Sequence, residues 1–441
     1  MRSLLALLFC CAFLQPSFAQ QDLLQSGPMV GYSKMREVML WVQTTEAAAV
    51  KIGYRPTGTE EPMKFTNTVS TISNTSFTAH LLADQVEPGN TYDYQVFINE
   101  KAVELSYPAQ FQSQVLWQYR TDPPAVKFAV GSCFYINEPA YDRPGKGYGS
   151  GYEILTSIQE NDPDFMLWMG DNIYLREVDY DSRTGIHKRY THTRSLPELQ
   201  PFLAATHHYA TWDDHDFGPN DSDRSYIHKD WTLEAFKNFW ANPSYGLPDH
   251  PGGITSQFQW ADLDIFILDN RYFRSPNNRN TTEPTILGKE QLEWLIDALT
   301  FSKGSFKIIM VGGQVLSTAP AYENFSNNHA EERAYLLKRI EEEGIQNVVF
   351  LTGDRHHTEL SKYPIDREHS IYDLTVSPLT SGASTNRGEV NGLRVPDTGV
   401  FEHNFGLVEV TGPWGERTLQ IQIMSREGEQ LWEYSIPQAK K

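Results

Sequence analysis

Phe165-Met166-Leu167-Trp168-Met169-Gly170-Asp171-Asn172-Ile173-Tyr174 decides how the chain is read: an apolar run stops at a glycine, and an acid and a tyrosine follow. A run this short is the length of a strand buried on both faces and falls below that of a helix. The same grammar recurs along the sequence. Lys127–Val130 leads into Gly131-Ser132-Cys133, Tyr209–Trp212 into Asp213-Asp214-His215-Asp216, and Ile265–Leu268 into Asp269-Asn270-Arg271. Further on, Ile308–Val311 leads into Gly312-Gly313-Gln314, and Val348–Leu351 into Thr352-Gly353-Asp354-Arg355-His356-His357. Helix-like segments lie between several of these runs, at 151–160, 196–205, 231–240, 289–300 and 330–343. Such alternation predicts a layered α/β domain, in which the carboxyl ends of the strands line one crevice. The tail, 406–410 and 418–424, adds strands.

Ahead of this domain, 20–122 reads as all-β. Short strand-like runs such as Val38–Val42, Val50–Tyr54 and Tyr92–Phe97 are separated by turn residues. Glu87-Pro88-Gly89-Asn90-Thr91-Tyr92 resembles the approach to the tyrosine corner of fibronectin-III-like sandwiches. Thr121-Asp122-Pro123-Pro124 reads as a linker. The expected division is therefore a leader at 1–19, a small β-sandwich over 20–122 and a catalytic domain over 123–441.

The leader has Arg2, an apolar run from Leu4 to Leu14 and the small residues Ser17-Phe18-Ala19. This is the pattern of a cleaved export signal, and it predicts a periplasmic or secreted protein. No other run is long enough to span a bilayer, so no membrane span is expected. The formal charge of −19 argues against a stable nucleic-acid complex, which needs a basic face. It leaves room for an anionic small substrate, because a local metal cluster can reverse the potential in one cleft. Once Cys10 and Cys11 leave with the leader, Cys133 is the sole thiol, either a small buried apolar residue or a thiolate ligand.

Asp or Asn after a strand is ordinary turn chemistry when taken alone. Asp213-Asp214-His215-Asp216 is harder to dismiss, because crowded carboxylates beside Trp212 repel one another unless a cation compensates. Taken in order, Gly-Ser-Cys, Gly-Asp-x-x-Tyr, Trp-Asp-Asp-His-Asp, Leu-Asp-x-Arg and Gly-Asp-x-His resemble the PhoD-type alkaline phosphatase/phosphodiesterase family, a branch of the calcineurin-like metallophosphoesterases. The resemblance covers roughly 125–410 and implies a four-layer α/β/β/α sandwich. It implies one metal position formed by Cys133, Asp171, Tyr174 and His356, whose thiolate and phenolate suit ferric iron. It implies a second, all-oxygen position formed by the shared Asp171 with Asp214, Asp354 and Gln314 or Asn220. That set suits calcium, with magnesium, manganese or zinc as alternatives. His215 is implied to act on the leaving-group oxygen, and Arg271 and Asn220 to touch phosphate. A salt bridge to Asp269 is the competing reading for Arg271.

The expected activity is hydrolysis of phosphodiesters or phosphomonoesters by water activated between the two cations. A purple-acid-phosphatase-like hydrolase is the alternative, but it would carry histidines where Cys133, Asp354 and Gln314 stand. An exported non-catalytic binding protein is the other, and it has no need of complete ligand motifs. Loops 137–150, 175–195 and 217–230 are expected to overhang the crevice and select the ester. His403-Asn404-Phe405-Gly406 also resembles a recurring segment of the family, with no role implied.

Overall fold

A computed structural model describes residues 23–321 and 324–439. The export leader expected at 1–19 lies outside the described residues. Two sheets stack at the centre of the molecule. The first has nine strands, in the order 430–437, 418–425, 404–411, 126–131, 165–169, 207–211, 24–33, 38–44 and 78–83. The second has six, in the order 256–260, 263–267, 306–310, 348–352, 370–375 and 359–364. The strands that carry the motifs run parallel: Phe128 pairs with Phe165, and Phe165 with His207, in one sheet. Ile265 pairs with Ile308, and Ile308 with Val349, in the other.

Alternation along a buried strand shows why the sheets stack. Ile265, Ile267, Ile308, Met310, Val349 and Leu351 share a core with Phe128, Val130 and Leu167 of the first sheet. Their neighbours Phe266, Leu268, Ile309 and Phe350 pack instead on Leu295, Leu299, Leu336 and Ile340 of helices Lys289–Phe301 and Ala330–Glu342. Successive side chains of a strand point to opposite faces, so a run that is apolar throughout needs a partner layer on each side. The first sheet obeys the same rule. Phe165 meets Phe258 and Trp260, whereas Trp168 meets Phe202 and Trp240 at the ends of outer helices. These are the expected four layers, and truncating one inter-sheet residue such as Ile308 to alanine costs about 2–5 kcal/mol.

The N-terminal region is a sandwich, with Val30, Leu40, Val42, Val50, Ile52 and Val96 in its core. The Glu87 amide donates to the Tyr92 hydroxyl at 2.6 Å, as the tyrosine-corner reading expects. The sandwich is joined to the catalytic region by backbone pairing. Strand Leu24–Ser33 pairs in parallel with His207–Thr211 through Val30 and His207, so one sheet of the sandwich continues the catalytic sheet. The His207 Nδ1–H donates to the Gly31 carbonyl at 2.7 Å, and the Gln112 amide donates to His207 Nε2 at 3.2 Å. A Cβ on Gly31 would stand 2.3 Å from Ala241 Cβ, so only glycine fits this seam. The physical reason is the edge: strand 207–211 would otherwise expose unpaired backbone groups. Among the described residues, no helix is long and apolar enough to cross a membrane.

Candidate metal centre

Every motif leaves its strand at the same end of the two sheets, and the backbone turns sharply to do so. Cys133, Asp171, Asp354 and His356 all have positive φ, at 59°, 52°, 70° and 55°. Non-glycine residues rarely adopt this region, which costs on the order of 1 kcal/mol or more each and concentrates at functional sites. Gly353 allows close approach, because a Cβ there would meet Ser132 Oγ at 2.6 Å and the Met169 carbonyl at 2.7 Å.

Three overlapping groups of candidate ligands result, with the donor atoms of each group within 4.8 Å of one another: Cys133 with Asp171 and His356, Asp171 with Asp214 and His215, and Asp213 with Asp214 and Asp354. Asp171 joins the first two, and Asp214 joins the second to the third. Asp171 Oδ2 accepts from the Tyr174 hydroxyl at 3.0 Å and from the Cys133 thiol at 3.7 Å, and its Oδ1 accepts from the His215 amide at 3.4 Å. Cys133, Asp171, Tyr174, Asp214, Asp354 and His356 thus come together as the motifs predict. Asp213, which the sequence reading left without a role, joins the all-oxygen group.

Electrostatics show what the fold alone leaves unresolved. Burial, then Asp354, pushes the Cys133 thiol up to about 12. Burial, then Asp214 and Cys133, drives Asp171 well above the carboxylate range, and burial with Asp171 does the same to Tyr174 in its own range. For Asp214, burial pulls upward but is outweighed by His215, Arg271 and the Asp221 amide, so its carboxyl is held below the usual range. Asp214 Oδ1 is buried and accepts no hydrogen bond. A buried carboxylate oxygen left without a hydrogen bond is costly unless a cation meets it, so this donor set fits metal ions.

Other residues fix these donors. Asp216 is no ligand in this arrangement. It accepts from the Asp213 and Asn172 amides at 3.0 and 3.1 Å, tying two ligand loops together, and burial lifts it to about 7. The His356 Nδ1–H donates to the Gly382 carbonyl at 2.6 Å, which leaves Nε2 to coordinate. Ser377 Oγ accepts from the His356 amide at 3.0 Å and donates to Cys133 Sγ at 3.0 Å, so one hydroxyl spans two donors. Asn404 supports it from below, donating to the Ser377 carbonyl at 3.1 Å and accepting from the Thr358 hydroxyl at 2.7 Å. This gives the 403–406 segment a role. Sequence reasoning missed Ser377 because it follows strand Ser370–Thr375, whose run is interrupted by Asp373.

The other expected residues have defined surroundings. Arg271 is fully buried and pairs with Asp213, with Asp214 Oδ1 at 3.7 Å; its backbone amide donates to Asp269. It braces the acidic group. Gln314 donates its amide nitrogen to Glu359 at 2.8 Å and Thr375 at 2.9 Å, and its Oε1, the atom that would ligate, is buried without a hydrogen bond. His357 stacks on Phe401 with Glu359 at 3.6 Å. His215, half-buried, lies against the Tyr174 ring at 4.3 Å and lines a cavity with Asn220, as the expected roles at the ester require. Burial lowers His215, against the opposing pull of Asp214. The stretch 175–195 is not simply a loop. It contains helix Arg183–Arg194, held by Arg189 on Asp179 and Glu138 at 2.8 and 2.7 Å and by Ile186 and Tyr190 in the core.

Donor groups sharing one carboxylate, at the joined carboxyl ends of two stacked sheets, form a candidate metal-binding site. Residues 128–405 match the PhoD-like phosphatase family, and the chain belongs to it. Residues 21–116 match a domain of unknown function, DUF7800. Alkaline phosphatase D of Bacillus subtilis (strain 168) is 24% identical over 374 residues, covering 74% of this chain and 61% of that protein. The chain thus spans about three fifths of the length of this curated relative. A solved structure of PhoD superposes with a TM-score of 0.76 at 16% identity, covering 97% of this chain and 94% of the other, and shares the fold.

Proposed function

We propose that the protein hydrolyses phosphate esters, diesters or monoesters, at a mixed ferric iron–calcium centre. The observation that carries this reading is the pair of donor groups hinged on Asp171, one rich in sulfur and phenol, the other in carboxylates. Cys133, Tyr174, His356 and Asp171 would hold iron, for which thiolate and phenolate are strong donors. Asp171, Asp214, Asp354 and Asp213 would hold calcium, which takes oxygen ligands. Bound, the two cations supply Lewis acidity toward water and the phosphoryl oxygens. The protein's own groups do the rest. Tyr174 and His215 form the inner wall of the cavity, with His215 presenting its ring to the leaving-group oxygen. Asn220, exposed on the loop after the short helix Asp214–Phe217, offers its amide to a phosphoryl oxygen. Arg271 keeps Asp213 and Asp214 ionised and aligned. The leader composition supports export, to the periplasm or beyond.

The test uses the chain from Gln20, with visible absorption recorded and bis(p-nitrophenyl) phosphate and p-nitrophenyl phosphate assayed after chelation. A coloured protein whose activity returns with calcium is expected. A colourless protein active only with zinc or manganese would overturn the metal assignment and keep the hydrolase. No hydrolysis with any metal would overturn the hydrolase reading.

A further inference from the structure

The segment Pro144-Gly145-Lys146-Gly147-Tyr148-Gly149-Ser150-Gly151 alternates glycine with larger residues, a composition that by itself predicts a mobile loop. The structure holds it in place instead. At its base, Asp142 Oδ1 accepts from Arg176 Nη2 at 2.9 Å and from the Tyr135 hydroxyl at 2.7 Å, while its Oδ2 accepts from the Glu138 amide at 2.6 Å. The Arg176 guanidinium lies over the Tyr135 ring at 4.1 Å. Beyond the base, the Asn137 side chain pairs with both backbone groups of Gly149: Nδ2 donates to its carbonyl and Oδ1 accepts from its amide, each at 2.9 Å. A Cβ on Gly149 would lie 2.8 Å from the Tyr135 carbonyl, so the glycine serves close packing.

These bonds immobilise the residue between the clamps. Tyr148 leans over the metal-binding groups, with its hydroxyl 3.3 Å from His356 Nδ1 and its ring edge-on to Tyr135 at 5.0 Å and to Tyr174 at 6.2 Å. It remains 46% exposed and lines the cavity of about 700 Å³ that His215 and Tyr174 close at the inner end. A large aromatic surface held rigid and left uncovered beside a site has area to give to a ligand at little ordering cost.

We propose that Tyr148 is a specificity-determining residue, a fixed stacking wall for a planar, aryl-type substituent of the phosphate ester. This rests on the phosphoesterase reading above. The substituent would enter the cavity past Tyr148 with its phosphate against the metal-binding groups, and its flat face would exclude water from the tyrosine ring. An alkyl ester of the same charge would reach the phosphate position without that gain.

The experiment compares phenylphosphonate with methylphosphonate, neither of which is hydrolysed, binding to metal-loaded wild-type protein, Tyr148→Phe and Tyr148→Ala. The ratio of the two dissociation constants within one variant is the readout, since a change in metal content moves both probes together. Wild type and Tyr148→Phe are expected to favour phenylphosphonate about fivefold to tenfold, the worth of one aromatic contact, and Tyr148→Ala to lose that preference. An equal affinity of wild type for the two probes, or a preference that survives in Tyr148→Ala, overturns the inference and leaves the hydrolase standing. Failure of wild type to bind either probe overturns both.

Discussion

The two ends of strand His207–Thr211 treat ionisable groups in opposite ways. At its start, His207 is buried with both ring nitrogens engaged, and the sandwich seam closes around it with no unmet polar group on that ring. At its far end the chain runs into Asp213 and Asp214, where Asp214 Oδ1 is buried without a hydrogen bond and Asp171 is driven toward neutrality by burial and then by its neighbours. Similar burial thus serves cohesion at one end. At the other it maintains a set of acids that the fold would be more stable without. Groups that conflict with local stability are retained where a ligand completes them.

The largest effect that would break this contrast is expected at the hinge carboxylate. Asp171→Asn should lower hydrolysis of bis(p-nitrophenyl) phosphate by about 10³-fold or more, because both donor groups lose their shared ligand. In chelated protein the same change should raise stability by about 1–3 kcal/mol, since a neutral amide ends the repulsion. A calorimetric loss instead would mean that these acids support the fold. At the seam the reverse is expected. Gly31→Val should cost about 3–5 kcal/mol by denaturant titration, with kcat per folded molecule unchanged, because its side chain collides with Ala241.

Two variants sharpen the comparison within the site. Cys133→Ser should abolish visible absorption and retain calcium, whereas Asp354→Asn should weaken calcium about a hundredfold and retain the colour, read by metal analysis and spectroscopy. Parallel loss of both metals in both variants would show a single cooperative site. The smallest effect is acid sensitivity of the seam. Burial lowers His207 to about 4, against about 6.5 unfolded, so its contribution is complete above pH 6.5 and is lost as pH falls toward 4. Stability should drop by about 2 kcal/mol between pH 7 and 5 from this residue, and His207→Gln should flatten that slope in urea titrations.

Much of the site was legible because each ligand sits a few residues beyond an apolar run. Strand, turn and donor are then one local message, as in Phe165–Tyr174. Helix Arg183–Arg194 was not legible, because only Ile186 and Tyr190 mark its apolar face and the polar Arg189 is buried beside them by ion pairs. Ser377 stayed hidden for a related reason. Asp373 breaks the run of its strand, yet that carboxylate is buried, accepting from the Val315 and Leu316 amides at 2.9 and 2.7 Å.

The sequence by itself determined the six strands, the candidate donors and the chemical contrast between a sulfur–phenol set and a carboxylate set. These follow from residue type and short-range order. The tertiary structure alone decided that Arg271 braces Asp213, that Ser377 joins Cys133 to His356, that Tyr148 stands over the centre and that the sandwich shares a sheet with the catalytic core. Each depends on residues far apart in the chain, and two stacked sheets set the distances between them.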